Sequence, residues 1–553
     1  MAKYVIGVDF GTESGRALLV DVANGQEVAT ATSIYRHGVI TERLPGTAIT
    51  LPRDWALQDP NDYIEVLSST IPAVLRESKV APGDVIGLGI DFTSCTMLPA
   101  TADGTPLVNL PQWRNQPHAW VKLWKHHAAQ AQANRLNQTA QDLGYKFLDR
   151  YGGKISSEWF FPKAWQILEE APQVYMAAGR LIEAGDWIVW QLTEVERRSA
   201  SIAGFKAMWS AQDGFPPKAF FKALDPRLEE IVDQKMTRAI LPVGAKAGGL
   251  TAQAAQLTGL KAGTAVAVAN VDAHASVPGA TVTGPGTLVI SMGTSNCHMV
   301  LDAREVFVPG ICGAVSGGFV SGLVGYEAGQ ASVGDGFAWF VDYYSSPALT
   351  EEARLQGKSL HQLLEERAAR LKPGESGLLA LDWWNGNRSV LIDGDLSGLL
   401  LGFTLTTRPE EIYRALLEAT AYGTRQIIDT FEKWGISIKE VVVTGGLPLQ
   451  NKLMLQIYAD VTGRRLRIAQ SQQAVALGAA IYGAVAAGPE QGGYASLAEA
   501  SASMARLRQE VYSPLAANSP IYEALYTEYL TLHDYFGRGG NKVMKRLKAL
   551  QQG

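Results

Sequence analysis

The feature that most restricts the fold of this chain is a repeat. Tyr4 to Asp9 is a short apolar run that ends in Asp9-Phe10-Gly11-Thr12-Glu13-Ser14-Gly15, and Arg16 to Asp21 returns as a second run. This predicts two strands joined by a glycine-bearing corner. Leu288 to Ser291 leads in the same way into Met292-Gly293-Thr294-Ser295-Asn296, and Cys297 to Leu301 returns. Either copy alone would read as an ordinary hairpin. Together they imply two related domains that face each other. The length of 553 residues agrees, being too great for one core and suited to two to four domains of roughly 100–200 residues.

Other apolar runs end in residues that can do chemistry. Ala265 to Ala269, all small or β-branched, predicts a buried strand, and Asn270-Val271-Asp272-Ala273-His274 puts a carboxylate just past its end. Gly284-Pro285-Gly286 then turns the chain into the second Gly-Thr corner. A positioned base and a cradle for phosphate oxygens are what phosphoryl transfer requires. Asp272, at the ordinary aspartate pKa of about 3.9, would be ionised at pH 7. Val85 to Ile90 predicts a further strand ending at Asp91-Phe92-Thr93-Ser94-Cys95, and loops at strand ends bind ligands in open α/β sheets.

Glu440 to Thr444 predicts a strand that delivers Gly445-Gly446 before a helix from about Gln450 to Thr462. Such a turn lets a nucleotide approach backbone N–H groups, although an ordinary βα turn looks the same. Gln473 to Ala487 is an Ala/Gly-rich helix that could pack beside a base. Thr407-Arg408-Pro409-Glu410 is a capping box for the helix that follows. Lys206 sits among Phe205, Met208 and Trp209, and Gly325 to Gln330 places Glu327 in a glycine-rich turn. Of Trp113, Trp120, Trp124, Trp159 and Trp165, most belong to packing, and one or two could wall a polar-ligand pocket, since aromatic faces suit the C–H faces of a sugar.

Several classes are disfavoured. A net charge of −5 does not suit a nucleic-acid binder, so none is expected as partner. No apolar run approaches the ~18 residues of a membrane span. Three cysteines without a CxxC pair, and an N-terminus that enters a strand at once, point to the cytoplasm. Gly153-Lys154 is no phosphate-binding P-loop, because Leu148 stands where the first glycine belongs and Ile155 replaces Ser/Thr. A metal hydrolase built on Asp272 and His274 lacks a third ligand nearby.

Val5 to Thr12, the Asp272 segment, Met292 to Ser295 and Thr444-Gly445-Gly446 fall in an order that resembles the FGGY carbohydrate kinases. The resemblance runs from about residue 4 to 490 and includes the Asp59-Pro60 helix start, Asp186-Trp187 and Gln473 to Ala480. It implies an α/β chain of two actin/hexokinase-like (ribonuclease H-like) domains with an ATP cleft between them. Residues 1–282 would bind the sugar and carry the base, and 283–553 would bind the nucleotide. Asp272 would take the proton of the attacking hydroxyl. Gly11, Thr12, Gly293 and Thr294 would hold phosphates through N–H and hydroxyl groups. Gly445, Gly446 and Asn451 would meet the nucleotide, and Asp9 would place Mg²⁺ through water. Lys206 and Glu327, with Ser94 and Trp124, would contact the sugar.

Leu123 to His127, Gly204 to Ala207, Asn270 to His274, Glu327 to Gln330 and Asp382 to Arg388 direct the resemblance, within the family, to phosphorylation of L-ribulose at C5 in L-arabinose catabolism. D-Xylulose or a polyol are the alternative substrates, and an actin- or chaperone-like ATPase is the alternative of another class. A homodimer is compatible with the resemblance. Two departures stand out. Trp113-Arg114-Asn115-Gln116 replaces a common Trp-x-Asp-x-Arg, which bears on substrate contacts at that loop, and Gln473 replaces a common Glu.

Overall fold

The computed structural model describes residues 2–552. Both predicted hairpins form, and each sits at the middle of a seven-stranded sheet. In the first sheet, β1 (Tyr4–Phe10) turns back into β2 (Ser14–Asp21), with β3 (Glu27–Ile34) beyond it, all antiparallel. On its other side β1 pairs in parallel with β4 (Val85–Phe92), buried from end to end as befits a strand covered on both faces. β5 (Lys246–Gly249) and β6 (Ala265–Ala267) complete the order β5-β6-β4-β1-β2-β3. A short β7 (Asn270–Val271) adds to the end of β4.

The second sheet contains β8 (Gly286–Met292), β9 (Asn296–Asp302), β10 (Gly313–Ser316), β11 (Val324–Gln330), β12 (Ile438–Thr444), β13 (Arg465–Ala469) and β14 (Leu507–Tyr512). Its order is β10-β11-β9-β8-β12-β13-β14. The run β3-β2-β1-β4-β6 in one sheet is matched by β11-β9-β8-β12-β13 in the other. In each, the first three strands are antiparallel and the last three parallel. The duplication read from the two Gly-Thr corners is therefore a duplication of whole sheets, and the architecture is actin/hexokinase-like.

Helices cover both sheets. α1 (Pro60–Ser78) starts where Asp59-Pro60 predicts, with the Asp59 carboxylate accepting the Asn61 N–H at 3.0 Å. Between β4 and β5 the chain builds a separate layer. It holds α2 (Phe160–Glu170), α3 (Ala200–Lys206) and, joined by residues 57–58 from before α1, a small sheet of 57–58, 121–122, 97–100 and 180–183, around a core with Met97, Phe160, Trp165 and Phe220. α4 (Asp272–Gly279) leaves the first sheet, and α5 (Gly334–Tyr344) leaves the second.

Three local expectations are corrected. Gly325 to Gln330 is not a turn but lies within the fully buried β11. Its glycines serve packing, since a Cβ on Gly325 would meet the Phe319 ring at 2.8 Å. The capping box before α6 (Pro409–Lys433) lies one residue further on, where the Glu411 side chain accepts the N–H of Arg408 at 2.6 Å. The helix after Gly445-Gly446 is two helices, α7 (Leu447–Gln450) and α8 (Lys452–Thr462).

The Ala/Gly-rich helix, α9 (Ala474–Ala487), is already covered by protein where it was expected to flank a base. It lies on β1 and β4 of the first sheet and crosses α4. A Cβ on Gly89 would stand 1.8 Å from the Ala479 carbonyl, and one on Gly478 1.7 Å from that of Ala275. Only glycine permits backbones to approach so closely. A helix from the C-terminal half thus seals the N-terminal sheet, within a core that joins Val5 and Leu18 to Val289, Met299 and Val442.

Candidate active site

The parallel strands of the first sheet end together, and each end brings a carboxylate. Asp9 stands opposite Asp91 in the register of β1 and β4, with the Phe10 and Phe92 rings stacked at 4.9 Å behind them. β7 pairs beside Asp91 through Asn270, so the next residues place Asp272 at the start of α4. Asp91 is fully buried, and apart from the neighbouring Asp9 carboxyl nothing bonds its carboxylate oxygens. Burial, then the charges of Asp9 and Asp272, push its carboxyl well above the usual range. Asp9 is also raised, chiefly by burial, against the pull of Arg16 at 3.5 Å.

Asp272 does not keep the ordinary pKa. Burial pushes it up to about 7, opposed by the Ala273 N–H at 2.7 Å and by Lys206, and helped by Asp9 and Glu327. A carboxylate poised there matches a proton acceptor working near neutrality. Asp91 was missed as a candidate. Its signal was the dipeptide Asp-Phe, which ends both β1 and β4.

A divalent cation fits this corner. Asp91 offers buried oxygens that no donor of the protein satisfies, Asp9 stands within reach of it, and two carboxyls so close favour a bound cation. Among the described residues no three His, Cys, Asp or Glu side chains converge to chelate a metal. Two carboxylates suffice for Mg²⁺, which takes one or two and completes its shell with water and phosphate oxygens.

The two corners are closed alike. The Gly11 N–H donates to the Ser14 carbonyl at 2.9 Å and the Gly293 N–H to that of Ser295 at 3.0 Å. These two N–H groups, expected on phosphates, are engaged in shaping the turns. The hydroxyl of Thr12 accepts the Trp124 indole N–H at 3.0 Å and keeps its own proton for another acceptor. Thr294 is exposed, and its carbonyl accepts the Val333 N–H at 2.8 Å where α5 begins. Gly445 backs directly onto this second corner. Its φ is +101°, and a Cβ would stand 2.2 Å from the Met292 carbonyl. Gly446, next to it, is exposed. Asn451 is occupied otherwise: it caps α8 through the Met454 N–H at 2.8 Å and donates to the Tyr413 hydroxyl at 3.3 Å.

Lys206 and Glu327 meet, and the meeting joins the two halves. Lys206, at the end of α3, is buried rather than exposed, and its Nζ donates to Glu327 Oε2 at 2.9 Å. His274 Nε2 reaches the same oxygen at 3.1 Å, while Arg388 donates to Oε1 at 2.6 Å. Since a carboxylate only accepts, His274 carries its proton on Nε2, and Nδ1 accepts from the Ser201 hydroxyl at 3.1 Å. Burial opposes the charge on Glu327, yet Lys206, His274 and Arg388 hold its carboxyl well below the usual range. Lys206 is likewise raised, burial being outweighed by Glu327. Trp159 walls this cluster, with the Lys206 ammonium 5.7 Å from its ring centre. Arg388 and His274 lay in stretches noted for resemblance, but neither signals a contact with Glu327. Ser94 lies half-buried on the turn after β4, and Trp124 half-buried beside Thr12, whereas Trp120 and Trp165 are core residues.

The N-terminal domain of the FGGY family of carbohydrate kinases matches residues 4–279, and its C-terminal domain matches residues 288–487. A ribulokinase of Halalkalibacterium halodurans is 57% identical over 549 residues, 99% of this chain and 98% of that protein. A ribulokinase of Mycolicibacterium smegmatis is 51% identical over 551 residues, 99% of this chain and 96% of that protein. The crystal structure of xylulose kinase from Rhodospirillum rubrum shares the fold, with a TM-score of 0.77 over 96% of this chain and 98% of that one at 22% identity. Duplicated sheets, two Gly-Thr corners and strand-end carboxylates are thus accompanied by matches to both domains in order, and the chain belongs to the FGGY family of carbohydrate kinases.

Proposed function

We propose that the chain transfers the γ-phosphoryl group of ATP to the C5 hydroxyl of L-ribulose, giving L-ribulose 5-phosphate and ADP in L-arabinose catabolism. The choice of sugar is supported by relatives named ribulokinase at 51–57% identity over nearly the whole chain. The observation that carries the chemistry is Asp272, a carboxylate raised to about 7 at the end of the parallel strands.

In this reading the C5 oxygen attacks the γ-phosphorus as its proton passes to Asp272, and the bond to the β,γ-bridging oxygen breaks. Thr12 and Thr294 donate their hydroxyls to phosphate oxygens, and the turns at Gly11, Gly293, Gly445 and Gly446 let the nucleotide approach the backbone. Asn451 acts from behind, by capping α8. Asp9 and Asp91 would hold Mg²⁺, whose charge would offset negative charge on the phosphates. Lys206 donates to the sugar and Glu327 accepts from it, with Ser94 and Trp124 at the pocket wall. Residues 1–282 supply the base and the sugar site except for Glu327, and 283–553 supply the nucleotide site except for the Gly11-Thr12 corner. α9 couples the two across that division.

Cytoplasmic placement follows from the same reading, and the three cysteines, all free, fit it. A homodimer belongs to it on resemblance alone, and light scattering giving the mass of two chains would support it. The test of function is ADP release over a panel of ketopentoses, aldoses and polyols. Highest kcat/KM for L-ribulose supports the assignment. Preference for D-xylulose or glycerol would replace it with another activity of the family.

A further inference from the structure

We propose that Lys163 is a positioning residue of the sugar pocket, an internal clamp whose ammonium ties together the two segments bearing Ser94 and Trp124. The proposal rests on the reading of Ser94 and Trp124 as pocket residues. Lys163 points from the first turn of α2 into the layer between β4 and β5 and is fully buried. Its Nζ donates to the Cys95 carbonyl at 2.6 Å and to the Leu123 carbonyl at 2.7 Å. Each carbonyl belongs to the residue next to a pocket residue: Cys95 follows Ser94, and Leu123 precedes Trp124.

The chemistry of the clamp is unusual for a packing residue. Among the described residues, Lys163 makes no direct ion pair with a carboxylate; the two carbonyls bind its ammonium, and Glu183 and Glu158 favour its charge from further off. Burial pushes the ammonium down to about 8, which leaves it protonated at pH 7. An unpaired buried charge is costly, and a methionine of similar length would fill the slot without that cost. What the ammonium supplies, and an apolar chain cannot, is a bond to each of two segments distant in sequence.

One of those segments needs such a restraint. Cys95 adopts φ +59°, a left-handed conformation rare for a residue other than glycine. The Thr93 and Thr96 hydroxyls close the same turn at 2.9 Å, and the Lys163 bond fixes the direction of the Cys95 carbonyl. The other segment extends the clamp to the phosphate corner, because the Trp124 indole donates to the Thr12 hydroxyl. Lys163 therefore acts through its neighbours and touches no substrate itself.

The test compares the full-length Lys163→Met variant with the unaltered chain. The KM for L-ribulose is expected to rise about tenfold, more than the KM for ATP, as the pocket wall loses its two charge-assisted bonds. Hydrogen exchange at residues 93–97 and 121–125 should accelerate by a similar factor while β12 is unaffected. A lower melting temperature with unchanged sugar KM and unchanged exchange in those segments would overturn the clamp and leave Lys163 a packing residue. If Lys163→Met does not fold, Lys163→Gln is read by the same two measurements, with the same outcomes. Ser94→Ala separates the two readings. If its sugar KM does not rise, the pocket assignment fails, whereas a raised KM there with an unchanged KM in Lys163→Met defeats the clamp alone.

Discussion

His274 donates through Nε2 to Glu327 across the boundary between the two halves at 3.1 Å, and it lies only two residues beyond Asp272. The helix that carries the proposed base is thereby tied to a strand of the opposite sheet. Glu327 is central to that tie, since Lys206 and Arg388 bond it as well. Glu327→Ala would leave the buried Lys206 ammonium, and the half-buried Arg388 beside it, without their partner. We expect a loss of about 3–5 kcal/mol in stability, read by denaturant unfolding. A change below 1 kcal/mol would show that the pairing merely breaks even against water.

The raised pKa of Asp272 has a kinetic consequence with a definite sign. Below about 7 the carboxyl holds its own proton, and above about 7 it is free to accept one, as the proposed base must. The kcat/KM for the sugar should rise with pH through an apparent pKa near 7. A pH profile flat from 5 to 8, as the ordinary pKa of about 3.9 would give, contradicts the description of this site.

The contact of α9 with the first sheet admits no side chain at Gly89, whose Cβ would stand 1.8 Å from the Ala479 carbonyl. Gly89→Ala must push helix and strand apart. The expected cost is about 1–3 kcal/mol, visible as a lowered melting temperature, with activity reduced because α9 also braces α4. Wild-type stability in this variant would mean that the two halves are not seated as described.

The parts of the molecule legible in the sequence were those whose causes are local. Apolar runs interrupted by Gly-Thr located both hairpins, the repeat of that pattern implied two sheets, and Asp272 stood out because it follows a strand. Glu327 was misplaced in a turn because Gly325 and Gly329 resemble turn residues. In the fold those glycines make room, Gly329 for the Arg388 side chain, whose Cδ a Cβ would meet at 3.0 Å. The burial of Lys206 is not legible in the sequence, because the partner that allows it is 121 positions away. The pKa of Asp272 was equally beyond sequence, being set by burial and by Asp9, Glu327 and Lys206, which only folding brings near. α9 shows the intermediate case. Its small residues announced close packing, but not against which surface.

Turnover of Asp272→Asn, measured beside its affinity for ATP, tests the assignment of the base most directly. The amide keeps the shape of the side chain but cannot take a proton, so kcat should fall by about 10²–10⁴ or more while ATP binds within a few-fold of normal. Near-normal turnover with intact nucleotide binding would contradict the account.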